Sequence, residues 1–218
     1  MPPSLLLINP NTSERATEMM LAAARPVLGG RAELRGITAA RGAPMLLSDA
    51  DIATAVREVV RIGQAEAEDA ECIVIGAFGN PGLEELRGRL ACEVIGIGEA
   101  AVLEAAAGGR RFGIATTTPS LKASIIRGVE KLALADTFAG VRIAQGDPLA
   151  LADDPAAQHR ALYAACVDSF AIDGAEAVVI GGGPLSDSAA LLHERFGDAI
   201  IQPLPAAMRL CLRRMRVA

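Results

Sequence analysis

Two turns of this sequence each follow a short apolar strand, and neither contains a side chain that titrates. The first lies in IVIGAFGNPGL, which begins at Ile73, and the second lies in VVIGGGPL, which begins at Val178. Ligands of α/β proteins usually bind where such strands end. Glycine-rich backbone and an asparagine amide offer N–H groups to the oxygen atoms of a ligand. The candidate binding positions in these turns are Phe78, Gly79, Asn80, Gly183 and Pro184.

Two further turns contain short amide and hydroxyl side chains. They are INPNTS, which begins at Ile8, and ATTTPS, which begins at Ala115. Such groups can hold a carboxylate or carbonyl oxygen without using a charge. The same residue types also cap helices, and Ser13 is predicted to do so. The candidate binding positions in these turns are Asn9, Asn11, Thr12, Thr117 and Thr118.

Glu99 is the candidate general base, because it follows Gly98 directly after a predicted strand. The alternative is that Glu99 lies in the first turn of a helix, where the helix dipole favours a carboxylate. Asp187 allows the same two interpretations. The sequence therefore leaves the identity of a base open.

The four cysteines, Cys72, Cys92, Cys166 and Cys211, form no C-x-x-C pair, and the chain has 2 histidines. This spacing gives no pattern typical of a zinc site or of a disulfide framework. We therefore expect reduced thiols and no bound metal.

Apolar runs with the length of buried strands alternate with longer segments of helical period, and this alternation predicts parallel sheets covered by helices. Eight strands and eight helices are predicted. The sixth strand is placed at Val141–Ala144, and no helix is predicted between it and the helix that begins at Pro155.

The sequence also repeats itself. Ala-Glu, an apolar strand that ends in Ile-Gly, a Gly/Pro turn and a helix begin at Ala70 and again at Ala175. The repeat predicts two pseudo-symmetric halves, residues 1–98 and 99–203, with a helix in residues 204–218 that packs back on the first half. We expect the ligand site in the cleft between the halves. The alternative is one continuous doubly wound sheet.

The composition excludes several classes of protein. A net charge of −5 without a long Lys/Arg cluster argues against a nucleic-acid partner. Apolar runs shorter than about 18 residues argue against a membrane span. The segment MPPSLLLINPNTS has neither a basic region nor a full apolar region typical of a signal peptide. We therefore expect a cytoplasmic location.

The motifs INPNTS, AFGNPGL, GIGEAA, ATTTPS and VVIGGGPL, in this order, resemble the aspartate/glutamate/hydantoin racemase superfamily, and its hydantoin racemase branch in particular. The resemblance spans nearly the whole chain. It implies flavodoxin-like halves, no cofactor, and a small carboxylate, amino acid or hydantoin as ligand. We also expect a homo-oligomer.

The resemblance further implies two catalytic cysteines, one after the third strand of each half, that exchange a proton on opposite faces of the substrate. The matching positions in this sequence are Ala77 and Gly182, and neither side chain can transfer a proton. Asn80 stands where the hydantoin branch commonly has Asp. The resemblance thus supports the binding framework of the family but not its two-thiol chemistry.

Three functions remain open from the sequence. The first is an isomerase or lyase of this family that works without the thiol pair, with Glu99 or Asp187 as its base. The second is a small-molecule binding protein without catalysis. A purely structural role fits least, because the polar turns are retained.

Overall fold

The computed structural model describes residues 2–216, which form two compact α/β units. The first unit extends to Ala100 and includes the segment that begins at Leu204, and the second unit is Ala101–Pro203. The C-terminal helix therefore belongs to the first unit.

Helices and strands alternate along the described chain. The strands are β1 (Ser4–Asn9), β2 (Glu33–Thr38), β3 (Cys72–Ile75), β4 (Glu93–Gly96), β5 (Phe112–Thr116), β6 (Phe138–Ile143), β7 (Ala177–Ile180) and β8 (Ile200–Ile201). The α-helices are α1 (Glu14–Leu28), α2 (Asp49–Glu66), α3 (Leu83–Arg87), α4 (Ile97–Ala105), α5 (Lys122–Lys131), α6 (Pro148–Asp153), α7 (Pro155–Ala171), α8 (Ser186–Phe196) and α9 (Pro203–Arg214).

Each unit contains one parallel sheet of four strands. The strand order is β2-β1-β3-β4 in the first unit and β6-β5-β7-β8 in the second. The predicted pair of parallel-sheet halves is confirmed, and the alternative of one continuous sheet is wrong. In each sheet the first and third strands are the central pair, so the turns that follow them begin side by side at the carboxyl edge of the sheet.

Apolar β-branched residues build the central strands, as expected for parallel strands covered on both faces. All four residues of β3 and all four of β7 are buried. Each fully buried Ile or Val side chain contributes about 1.5–3 kcal/mol of transfer free energy. The turns after β3 and β7 therefore each follow a fully buried strand, which holds them in place.

Local signals set the ends of α1. The hydroxyl of Ser13 accepts a hydrogen bond from the N–H of Ala16, which confirms the predicted cap. Gly29 ends the helix in the left-handed conformation, with φ of 55°. The first turn of the unit is thus joined to a helix whose start is well defined.

Two departures from the predicted elements lie in the second unit. β6 begins at Phe138, before the predicted strand, because the Phe138 ring packs against Phe112 with 5.3 Å between ring centroids. The helix α6 was not predicted. It has 6 residues, too few to show a helical period, and it depends on Asp147, whose carboxylate accepts two backbone N–H groups at its start.

Among the described residues, no helix combines the length and apolar character that crossing a membrane requires.

Candidate functional site

The side chain of Asn9 is fully buried at the end of β1, where it holds the following turn together. Its Nδ2 lies 3.0 Å from Oδ1 of Asn11, 2.9 Å from the carbonyl of Ser13 and 2.9 Å from Oγ1 of Thr17. Its Oδ1 accepts a hydrogen bond from the N–H of Asn11. Because Nδ2 has two hydrogens for three acceptors, Asn9 has none left for a ligand in this geometry.

Asn11 presents the available amide of the same turn. Its Oδ1 accepts hydrogen bonds from Asn9 and from the N–H of Ser13, whereas its Nδ2 bonds to no other residue in the part of the chain that the structure describes. Thr12 contributes its N–H to the carbonyl of Ala43 at 3.1 Å. This turn, residues 9–13, is called the first turn below, and Asn11 Nδ2 is its free donor.

The turn after β3 is held by Asn80, which has a left-handed φ of 49°. Its N–H bonds to the carbonyl of Ala77 at 2.9 Å, and its Oδ1 accepts the N–H of Gly98 at 3.0 Å. A Cβ on Gly98 would overlap the carbonyl oxygen of Phe78, and one on Gly96 would overlap the Asn80 side chain. The start of α4 therefore packs directly under this turn, which requires both glycines.

Ala77 carries a partly exposed methyl group in that turn, and Gly79 is exposed. Within residues 2–216, the N–H groups of Phe78 and Gly79 donate no hydrogen bond to another residue. The turn thus offers two adjacent backbone donors beside a position that cannot exchange a proton.

In the second unit, Thr116 joins the turn after β5 to the turn after β7. Its hydroxyl donates to the carbonyl of Gly181 at 2.7 Å and lies 3.4 Å from the N–H of Thr118. Thr117 and Thr118 are both buried, yet their hydroxyls bond to no other described residue. They are free hydroxyl groups at the end of β5.

The turn after β7 has extended backbone at Gly182, whose φ is 170°. A Cβ at this position would lie 3.1 Å from the Leu185 side chain, so a side chain there requires a small shift of Leu185. Gly183 and Pro184 then begin a short 3-10 turn. The Ser186 hydroxyl donates to the carbonyl of Gly183 at 2.6 Å, and the N–H of Gly183 donates no hydrogen bond to another described residue.

The structure favours the structural interpretation of Glu99. Its carboxylate is 8% exposed and receives both Nη groups of Arg87, at 2.9 and 3.0 Å, with Arg214 at 3.7 Å. Arg87 also donates from Nε to the carbonyl of Val94. Asp187 is exposed in the first turn of α8. Neither carboxylate is a free, desolvated base in this geometry.

The cysteines lie away from the turns that follow β3 and β7. Cys72 is the first residue of β3, and its Sγ lies 3.2 Å from the Sγ of Cys211. This neighbour and burial raise the pKa of Cys72, burial raises the pKa of Cys92, and burial raises the pKa of Cys166 to about 12. These three thiols are therefore protonated at neutral pH. Five residues of extended chain separate Cys72 from Ala77, a span of about 16 Å.

The described residues contain no group of three or more His, Cys, Asp or Glu side chains placed to hold a metal ion. Nδ1 of His193, in α8, lies 3.2 Å from the carbonyl oxygen of Ile200.

The sequence patterns did not identify Thr17, which bonds Asn9 of the first turn, or Glu58, which bonds Ala40 after β2. Thr17 follows the cap residue by one helical turn, a spacing that signals a contact with the turn itself. Glu58 accepts a hydrogen bond from the N–H of Ala40, which lies 18 residues earlier in the chain, and no local sequence pattern predicts such a bond.

Known proteins resemble this chain in sequence and in fold. A family model described as Asp/Glu/hydantoin racemase matches residues 5–211. The hydantoin racemase of Rhizobium meliloti is 31% identical over 205 residues, which cover 94% of this chain and 85% of that protein. The hydantoin racemase of Paenarthrobacter aurescens is 27% identical over 208 residues, covering 94% and 88%. The solved structure of an allantoin racemase from Klebsiella pneumoniae superposes with a TM-score of 0.91 at 29% identity, covering 99% and 89% of the two chains.

Proposed function

Because the chain belongs to the Asp/Glu/hydantoin racemase family, we propose that it acts on a small cyclic ureide such as a hydantoin, or on a related small carboxylate. Its relatives include proteins named hydantoin racemase and allantoin racemase, which supports this class of ligand. Both classes present carbonyl or carboxylate oxygens that uncharged donors can bind.

The ligand contacts that we assign are donors, at the carboxyl edges of the two sheets, that have no partner among the described residues. In the first unit these are Asn11 Nδ2 and the N–H groups of Phe78 and Gly79. In the second unit they are the hydroxyls of Thr117 and Thr118 and the N–H of Gly183. Donors of this kind stabilise negative charge that develops on an oxygen.

The chemistry that we propose does not use a thiol pair. The observation that carries this is the combination of Ala77 and Gly182 at the ends of the central strands with protonated cysteines elsewhere. The protein is then a cysteine-independent isomerase or lyase of the family. The absence of a free titratable side chain among the assigned contacts favours a second candidate, a binding protein that polarises its ligand without catalysis.

Calorimetric titration with hydantoin and 5-substituted hydantoins tests the proposal. Asn11→Ala and Thr118→Val each remove one assigned donor and should weaken binding by about 1–3 kcal/mol, roughly 5- to 150-fold in Kd. Thr137→Val is the matched control, since that hydroxyl donates to the carbonyl of Leu134 away from the turns. Failure of the wild type to bind any hydantoin or small carboxylate would remove the proposal.

Turnover separates the two candidates, because an isomerase or lyase changes the enantiomeric or chemical composition of the ligand and a binding protein does not. Chiral chromatography of the ligand after incubation distinguishes them.

We also propose that the protein works without a cofactor, in the cytoplasm and as a homo-oligomer. Light scattering on the purified protein tests the oligomeric state.

A further inference from the structure

The segment that joins β2 to α2, residues 39–48, lies beside the first turn and is called the β2–α2 segment here. The N–H of Ala39 donates to the carbonyl of Asn9 at 2.9 Å, and the N–H of Thr12 donates to the carbonyl of Ala43 at 3.1 Å. These two bonds bracket Asn11, the residue with the free amide. The conformation of the segment and that of the first turn are therefore linked.

A buried carboxylate holds this segment near its start. Glu58, in the middle of α2, is 4% exposed, and its Oε2 accepts the N–H of Ala40 at 3.2 Å. Arg61 neutralises it through Nε to Oε1 at 3.1 Å and Nη2 to Oε2 at 3.0 Å. Hydrogen bonding from Arg61 lowers the pKa of Glu58 in spite of its burial. The group is thus a permanent acceptor at neutral pH.

The end of the segment has a conventional anchor. The carboxylate of Asp51 accepts the N–H groups of Leu47 and Ser48, at 3.1 and 2.9 Å, and forms the capping box of α2. A capping box pairs backbone N–H groups at the start of a helix, which accounts for the position of Asp51. Glu58 has no such role, because it lies inside the helix, where its own backbone groups are already paired.

Burial of a carboxylate costs free energy unless the charge is paired and hydrogen-bonded. Arg61 supplies the pairing, and Ala40 N is the backbone group that the carboxylate reaches outside its own helix. Ala40 is itself exposed, so without Glu58 its N–H would bond to water and the segment would lose its hydrogen bond to the middle of α2.

We infer that Glu58 is a positioning residue, which fixes the first turn through Ala40 and through the bond between Ala43 and Thr12, and so orients the Asn11 amide. The ligand-related part of this inference rests on the proposed function. The positioning itself concerns the free protein and is independent of any ligand.

Hydrogen exchange followed by mass spectrometry measures the positioning directly. Glu58→Ala should accelerate exchange roughly 10-fold in peptides that cover residues 39–48 and residues 10–17. Glu58→Asp should act similarly, because the shorter side chain withdraws the carboxylate from Ala40. Glu58→Gln should stay within about 3-fold of the wild type, since the amide oxygen can accept the same N–H.

The matched control is Glu66→Ala. Glu66 lies on the same helix and pairs with an arginine, Arg35, at 2.7 Å, but it accepts no N–H from the β2–α2 segment. This control should leave exchange of both peptides unchanged. Unchanged exchange of residues 10–17 in folded Glu58→Ala and Glu58→Asp would overturn the inference.

Hydantoin titration of the same variants adds the ligand readout. Glu58→Ala should raise Kd roughly 10-fold, with rescue by Glu58→Gln and no effect of Glu66→Ala. If the wild type binds neither a hydantoin nor a small carboxylate, the proposed function fails, while the exchange experiment still decides the positioning role. If exchange responds and the Kd of a bound hydantoin does not, the first turn is not a ligand contact and the link from Glu58 to binding is wrong.

Discussion

Replacing Asn9 by Ala tests whether the first turn depends on one buried amide. The substitution removes three contacts of Nδ2, at 2.9 to 3.0 Å, and one contact of Oδ1, at 3.2 Å. Two hydrogens can support two full bonds, and Oδ1 supports a third. At about 1 kcal/mol of net stability for each bond, the expected loss in the free energy of unfolding is about 3 kcal/mol.

Urea unfolding followed by circular dichroism measures this loss. With a slope of about 2 kcal/mol per molar urea, the midpoint should fall by about 1.5 M. Ser13→Ala is the control, because it removes the cap of α1 and leaves Asn9 in place, and it should cost about 1 kcal/mol. Thr17→Ala in the Asn9→Ala background should show coupling of about 1 kcal/mol, since the two side chains share a hydrogen bond.

A loss below about 0.5 kcal/mol for Asn9→Ala would refute this reasoning, because water would then have replaced the whole network. Hydantoin affinity should also fall, by about 1–3 kcal/mol, since Asn11 loses the group that orients it. Unchanged affinity in calorimetry, in a destabilised but folded variant, would mean that the orientation of Asn11 is set elsewhere.

Three further outcomes follow from individual contacts. Gly98→Ala should destabilise the fold by about 1–3 kcal/mol, because its Cβ displaces the Phe78 carbonyl, and an unchanged urea midpoint would contradict this packing. Glu99→Gln should lower stability by about 1.5–3 kcal/mol, because the hydrogen bonds from Arg87 lose their charged acceptor, and it should leave any catalytic rate intact. A large fall in rate at constant stability would make Glu99 the base. The Arg142 guanidinium lowers the pKa of Asp173. The stability from this pair is therefore present above about pH 4 and is lost as the pH falls. Asp173→Asn should reduce this loss of stability at acid pH.

The fold was predictable where the sequence pattern is local. The apolar run that begins at Ile73 and the matching run at Val178 identified the central strands, and the repeat around them predicted two separate sheets. The short helix that begins at Pro148 was missed because 6 residues contain too little periodic signal. The start of β6 depends on the contact between two phenylalanine rings, which no strand pattern contains.

The candidate site was predictable as a set of turns but not as a set of bonds. The turn residues and their polar character were evident in the sequence, and the family resemblance is confirmed. The partners of Glu99 and Asn9 were not evident, because each depends on which neighbouring group the fold brings within 3 Å. The sequence did not decide whether Glu99 is a base. In the structure its carboxylate pairs with Arg87, which lies 12 residues earlier in the preceding helix.

Deuterium wash-in at the α-carbon of a hydantoin tests the central claim, that no thiol moves the proton. The wild type should show no thiol-dependent exchange above the buffer rate, so alkylation of its cysteines should change nothing. Ala77→Cys with Gly182→Cys should create exchange that neither single variant reaches, since inversion needs a donor and an acceptor on opposite faces. Gly182 accepts a side chain without backbone strain, because its φ of 170° is extended. Rapid exchange by the wild type that alkylation abolishes, with the circular dichroism spectrum unchanged, would contradict the account.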